Sequence, residues 1–164
     1  MMGTTKKPRR KYDPNRCILR ISNNVERRMD ANPLTEDRQR DLGLQYHIAF
    51  ENMLRAGNEE SWYILAGSMN VALVLAEKGY GEEYIPEIKT AMLGLMSIKY
   101  RADAGGPWKF GEAGEKAMRR AIELHDQQCQ IATRKEIKQA LQVIVERARQ
   151  GHMYAAEDCL LEVA

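Results

Sequence analysis

The chain has 164 residues, enough for one domain in which roughly 70% of the unfolded surface can be buried without disulfide staples. Apolar residues make up 44% and charged residues 29%, which excludes a fibrous, low-complexity or membrane-dominated chain and points to a globular one. The net charge of +2 hides an asymmetry: within residues 1–20 seven cations stand against Asp13, leaving +6 there and therefore −4 over the remainder.

The basic excess is concentrated in "TTKKPRRKYDP", residues 4–14. Nothing in residues 1–16 can bury a face, so the composition predicts a disordered basic arm there and a helical bundle over 17–164. Lys6, Lys7, Arg9, Arg10, Lys11 and Arg16 could neutralise phosphates, and Tyr12 could stack on a base. The same letters also suit a solubility tail, or a targeting or protein-docking arm. No apolar h-region follows, because "CILRI" is broken by Arg20, which argues against a signal peptide.

From Cys17, the positions Ile18, Ile21, Val25 and Met29 recur at helical spacing, weakened by Ser22, Asn23 and Asn24 and ended by Asn32-Pro33. Thr35 is the expected N-cap of the next helix, with Glu36 and Asp37 in the turn where the helix dipole favours anions. Its face is Leu42, Tyr46, Ala49, Phe50 and Met53, and Gly57 is its expected C′ residue. Asn58 is expected to cap a helix over 59–78 that is apolar around most of its circumference and so should be central. Its run of residues 62–76 is too short to cross a bilayer and carries Ser68 and Asn70.

A third strong helix carries Tyr84, Ile85, Ile88, Ala91, Met92, Leu95 and Ile98, with Pro86 tolerated only in its first turn. Gly67 and Gly94 lie inside helices, each costing about 1 kcal/mol against alanine, which predicts close backbone approach at both. "AGGPWKFG", residues 104–111, is the clearest loop. Residues 112–150 then read as helix almost throughout, with a thin stripe (Ala117, Ala121, Leu124, Gln128) and a stronger one (Ile137, Leu141, Ile144, Ala148). Between them "TRKE" matches a capping box, which favours two helices over one. After Gly151, "MYAAEDCLLEVA" reads as an amphipathic tail that packs on the bundle or on a second copy in a homodimer. No strand alternation appears, so the expected fold is an all-α bundle of five or six helices.

Few residues point to chemistry. In the loop, Trp108 and Phe110 flank Lys109; exposed, they would make a protein-binding anchor, and folded back they would plug the end of the bundle. His125, Cys129, His152 and Cys159 lack knuckle spacing, so neither zinc nor any other cofactor is expected from them, and the three cysteines read as reduced thiols in a cytosol. His125 and Asp126 are neighbours, so on a helix their side chains diverge by about 100° and cannot pair with each other. With no phosphate-binding glycine loop and no HExxH, the pattern favours a protein that is not an enzyme.

The stretch "AFENMLRAGNEESWYILAGSMNVALVLAEKGYG", with "AIELHDQQ" further on, resembles small helical proteins of phages, prophages and mobile elements of proteobacteria, over about residues 40–130. The shared shape is carried here by Gly57, Trp62, Asn70, His125 and Asp126 after a basic leader. The resemblance implies an accessory protein in the cytoplasm of a bacterial host, binding a host protein or nucleoprotein complex, with inhibition of a defence system such as CRISPR among such roles. The alternative is a nucleic-acid-binding accessory protein that uses its arm. No membrane partner is expected.

Overall fold

The computed structural model describes Arg27 and residues 30–150. The basic arm, the weak helical pattern from Cys17 to Met29 and the tail from Gly151 onward, with His152 and Cys159, lie outside the described residues. The fold is an all-α bundle; among the described residues it comprises α1 Glu36–Arg55, α2 Glu59–Glu77, α3 Ile85–Asp103, α4 Glu112–Ile131 and α5 Arg134–Arg149, with a 3₁₀ turn, Glu82–Tyr84, before α3.

Each boundary has a local cause. The Thr35 hydroxyl accepts from the Arg38 amide at the start of α1, and the Asn58 side chain accepts from the Ser61 amide at 2.7 Å at the start of α2. Gly57 joins the two helices with φ of +48°, and a Cβ there would overlap the Trp108 carbonyl, so the α1–α2 turn and the 104–111 loop press on each other. Pro86 sits in the first turn of α3. Residues 112–150 are two helices, since Ala132 and Thr133 are extended and Thr133 with Glu136 forms the complete capping box of α5.

Helix α2 is the centre. It touches all four other helices and buries nine residues, among them Leu65, Met69 and Leu73 with no exposed surface. The main core joins it to α1, α3 and α4 through Met53, Ile88, Leu95 and Met118, among others. A smaller core sets Val74 and Leu75 against Ala132, Ile137 and Ala140.

Two expectations are corrected. A Cβ on Gly94 would meet the Gly114 Cα at 3.3 Å, so α3 and α4 do approach closely there, but around Gly67 there is nothing within 4 Å and its face of α2 is open. The two late stripes are also reversed in strength. Helix α4 buries seven residues, whereas α5 buries only Ile137 and Ala140 and leaves Leu141 half exposed.

Before α1 the chain is clasped to α5. Pro33 and Thr133 form an isolated antiparallel bridge, and the Arg134 amide donates to the Asn32 carbonyl at 3.1 Å. Asp30 accepts from Lys138 at 3.0 Å and lies 3.5 Å from Arg134.

Candidate functional site

Two side chains of the 104–111 loop turn inward, Phe110 fully and Trp108 in part, while Ala104, Gly105, Pro107, Lys109 and Gly111 are exposed. Phe110 is buried, edge-on to Phe50 at 5.7 Å between ring centres, so it belongs to the core and is not a free anchor. Trp108 is half-buried against Trp62 at 6.1 Å, with the Lys99 ammonium over its ring at 5.5 Å. Lys109 is exposed, and its carbonyl accepts from Arg101 at 2.6 Å, which ties the loop to the end of α3. The exposed Trp-Lys-Phe anchor is therefore not formed as a unit; two rings plug the end and one edge of Trp108 stays at the surface.

That surface continues onto residues the sequence pattern did not single out as a site. Tyr63 is edge-on to Trp62 at 5.1 Å yet 55% exposed, and Ile64 beside it is 37% exposed. Glu59 and Glu60, in the first turn of α2, line an open depression with them. Lys99 faces the same region: Asp103, 2.6 Å from its Nζ, holds it above its usual pKa, with Tyr63 and Glu59 as further charge neighbours. Gly67 extends the face by one bare turn. The result is an aromatic and aliphatic surface bordered by the carboxylates of Glu59 and Glu60 and by the Lys99–Asp103 ion pair. In the sequence, Tyr63 and Ile64 are simply members of the apolar run of residues 62–76; only the packing shows that they fall on its outer side.

A second constellation bridges α1 and α4. The Tyr46 hydroxyl donates to Asp126 Oδ1, and His47 Nε2 lies 2.9 Å from Asp126 Oδ2. As expected, His125 and Asp126 point apart: Asp126 turns out to His47, and His125 turns into the core. There His125 Nδ1 lies 3.1 Å from Gln128 Oε1, whose Nε2 donates to the Ala72 and Tyr80 carbonyls. Since that amide oxygen can only accept, Nδ1 carries the proton. Burial lowers the His125 pKa against the opposing pull of Gln128, which keeps the ring neutral.

Cys129 Sγ sits 3.8 Å from His125 Nε2, but burial above all, and then the Asp126 charge, push the thiol up to about 12. Burial and the bond to Asp126 also raise the Tyr46 hydroxyl far above an ordinary phenol. A thiol held protonated beside a neutral imidazole is not an activated nucleophile. The open cleft above it, about 490 Å³, includes Glu36, Arg40, His47 and Asp126 in its lining. The arrangement is best suited to bracing α1 against α4. His47 and Asp126 are 79 residues apart, so no local pattern could have paired them.

No group of three or more metal-ligating side chains gathers among the described residues, and none of their helices is long and apolar enough to cross a membrane. Lys6, Lys7, Arg9, Arg10, Lys11, Tyr12 and Arg16 lie outside the described residues. Comparison with protein-family models, with curated proteins and with solved structures finds no match to this chain.

Proposed function

We propose that this chain is a non-enzymatic accessory protein of a phage or mobile element that acts by binding a host protein or nucleoprotein complex, as an inhibitor of host defence does. The observation that carries the binding reading is the exposed face of Tyr63 and Ile64 on the helix that otherwise forms the centre of the core. Adjacent large apolar side chains ringed by charges are the composition of an interface centre and its rim. The state of the most catalytic-looking cluster supports the same reading, because its thiol and imidazole are tuned to stay protonated and neutral respectively. The resemblance over residues 40–130 supplies the phage and mobile-element context.

The test is capture from bacterial lysate by tagged protein, with and without nuclease. The partner retained by the wild type should drop at least tenfold with Tyr63→Ala plus Ile64→Ser, while His47→Ala captures normally. Capture that survives nuclease indicates a protein partner, and capture lost to nuclease indicates nucleic acid or a nucleoprotein. Undiminished capture by the Tyr63/Ile64 variant would overturn the assignment of this face.

A further inference from the structure

The outer side of α2 carries a shallow trough. At about 100° per residue, Glu60 and Gly67 lie nearly in line along the helix, two turns apart, and Tyr63 and Ile64 stand about 50° to either side of that line. Gly67 gives the trough a floor without a side chain, and nothing comes within 4 Å of where its Cβ would be. Helical side chains lean toward the N-terminus, which carries Tyr63 and Ile64 over the turn of Glu59 and Glu60. These four residues line one open depression of about 650 Å³. It has an aromatic wall, an aliphatic wall and carboxylates at one end. From Gly67 to Glu60 the backbone rises about 10 Å, at about 1.5 Å per residue, which leaves room for one long side chain laid along the helix.

Magnitudes decide the sign of charge at the closed end. The N-terminus of α2 contributes about half a positive charge, against the two negative charges of Glu59 and Glu60 in its first turn. Among the described residues Glu60 makes no ion pair, and Lys99 is already held by Asp103 at 2.6 Å. A phosphate or carboxylate is repelled there and a cation is attracted. The same surface already holds a cation of its own. Lys99 Nζ stands 5.5 Å over the Trp108 ring, and its charged form is favoured first by Asp103 and then, through space, by Tyr63 and Glu59.

What docks follows from that chemistry, and it rests on the reading of this face as the docking surface. We propose that the trough takes an arginine side chain of a protein partner, its stem over Gly67 between Tyr63 and Ile64, its guanidinium against the Tyr63 ring and on the Glu60 carboxylate. Arginine suits the site better than lysine, because its planar head stacks on a ring and meets a carboxylate with two donors at once. The contact at this face is accordingly with protein, even where the whole target is a nucleoprotein.

The experiment is an NMR titration of nitrogen-15-labelled full-length protein with the peptide acetyl-Leu-Arg-Leu-amide, beside its glutamine and glutamate analogues. With the arginine peptide, amide shifts should gather at Tyr63, Ile64, Gly67 and Ser68; the glutamine peptide should bind about tenfold more weakly, the size of one charge-assisted hydrogen bond, and the glutamate peptide not at all. Glu60→Gln should weaken the arginine peptide about tenfold on the same grounds. Gly67→Leu fills the trough, leaves every charge in place and should abolish binding. Binding lost with Glu60→Gln but kept with Gly67→Leu would reduce the site to a diffuse acidic attraction and overturn the proposal. So would equal binding of the arginine and glutamine peptides, the absence of shifts at this face, or shifts there on adding an oligothymidylate. Binding seen only when Lys6, Lys7, Arg9, Arg10 and Lys11 are all changed to Ala would assign the trough to the chain's own arm and likewise overturn it. In lysate capture, a partner lost with the Tyr63/Ile64 variant but kept undiminished with Glu60→Gln would leave the docking face standing and overturn the arginine.

Discussion

Helices α4 and α5 follow one another, are both amphipathic, and have opposite fates. Of the 20 residues of α4 seven are buried, and of the 16 of α5 two. The cause is neighbours: α4 packs against α1, α2 and α3, whereas α5 leans chiefly on the C-terminal half of α2. Amphipathic spacing tells which face of a helix is apolar; how much of that face is covered depends on how many elements reach it. Helix α5 compensates at its edges, with its capping box, the Asp30 clasp and an ion pair between Arg147 and Glu77 at 2.6 Å.

The contrast is broken most directly by truncation. Leu65→Ala, in the core shared by α1 to α4, should cost about 2 to 5 kcal/mol, whereas Ile137→Ala should cost about 2 or less because the α5 side can collapse into the gap. Urea unfolding of the two variants is the measurement, and equal losses would mean that α5 is integral to the main core.

Titration sharpens the comparison. The pKa of His125 is depressed below its ordinary 6.5, so its contribution to stability is complete above about that pH and drains as pH falls toward the folded value, by up to about 1.4 kcal/mol per pH unit. Glu136, at the start of α5, is held below its ordinary 4.5 by the Tyr80 hydroxyl and then by the Thr133 amide, so its contribution survives until pH falls under about that value. Melting of wild type and His125→Gln between pH 5 and 7.5 should converge as the pH drops, because only the wild type loses this term. Parallel curves would place the titrating group elsewhere.

The smallest effect has opposite signs in two places. Gly94→Ala forces α3 from α4 and should lose about 1 kcal/mol, the overpacking cost less the propensity gain. Gly67→Ala enters open space and should gain about 1 kcal/mol. Thermal melts of the two variants check the signs, and a loss at Gly67 would mean that its face of α2 is covered in solution.

Much of the fold is legible in the sequence because its signals are local. Thr35, Asn58 and Thr133 each cap within three residues, Gly57 takes the left-handed turn, and Pro86 marks a first turn. The surfaces are less legible because they are set by what lies across the bundle. The inward turn of Phe110 depends on Phe50, and the pairing of Asp126 depends on His47; neither partner is signalled by anything nearby in the chain. Gly67 and Gly94 read alike in sequence and differ only in whether another helix arrives.

The clasp at Pro33 and Thr133 has a kinetic consequence. Helices α1 to α4 meet partners that mostly follow closely in the chain, whereas Asp30 and Lys138 are separated by 108 positions. Closing a loop of that size costs about 4 kcal/mol of chain entropy before the contact returns anything. The four-helix part should therefore assemble first and the clasp should close last. In reverse, opening of the clasp is the cheapest excursion from the native state, so the Arg134 amide, bonded to Asn32, should exchange its hydrogen well ahead of the amides of α2.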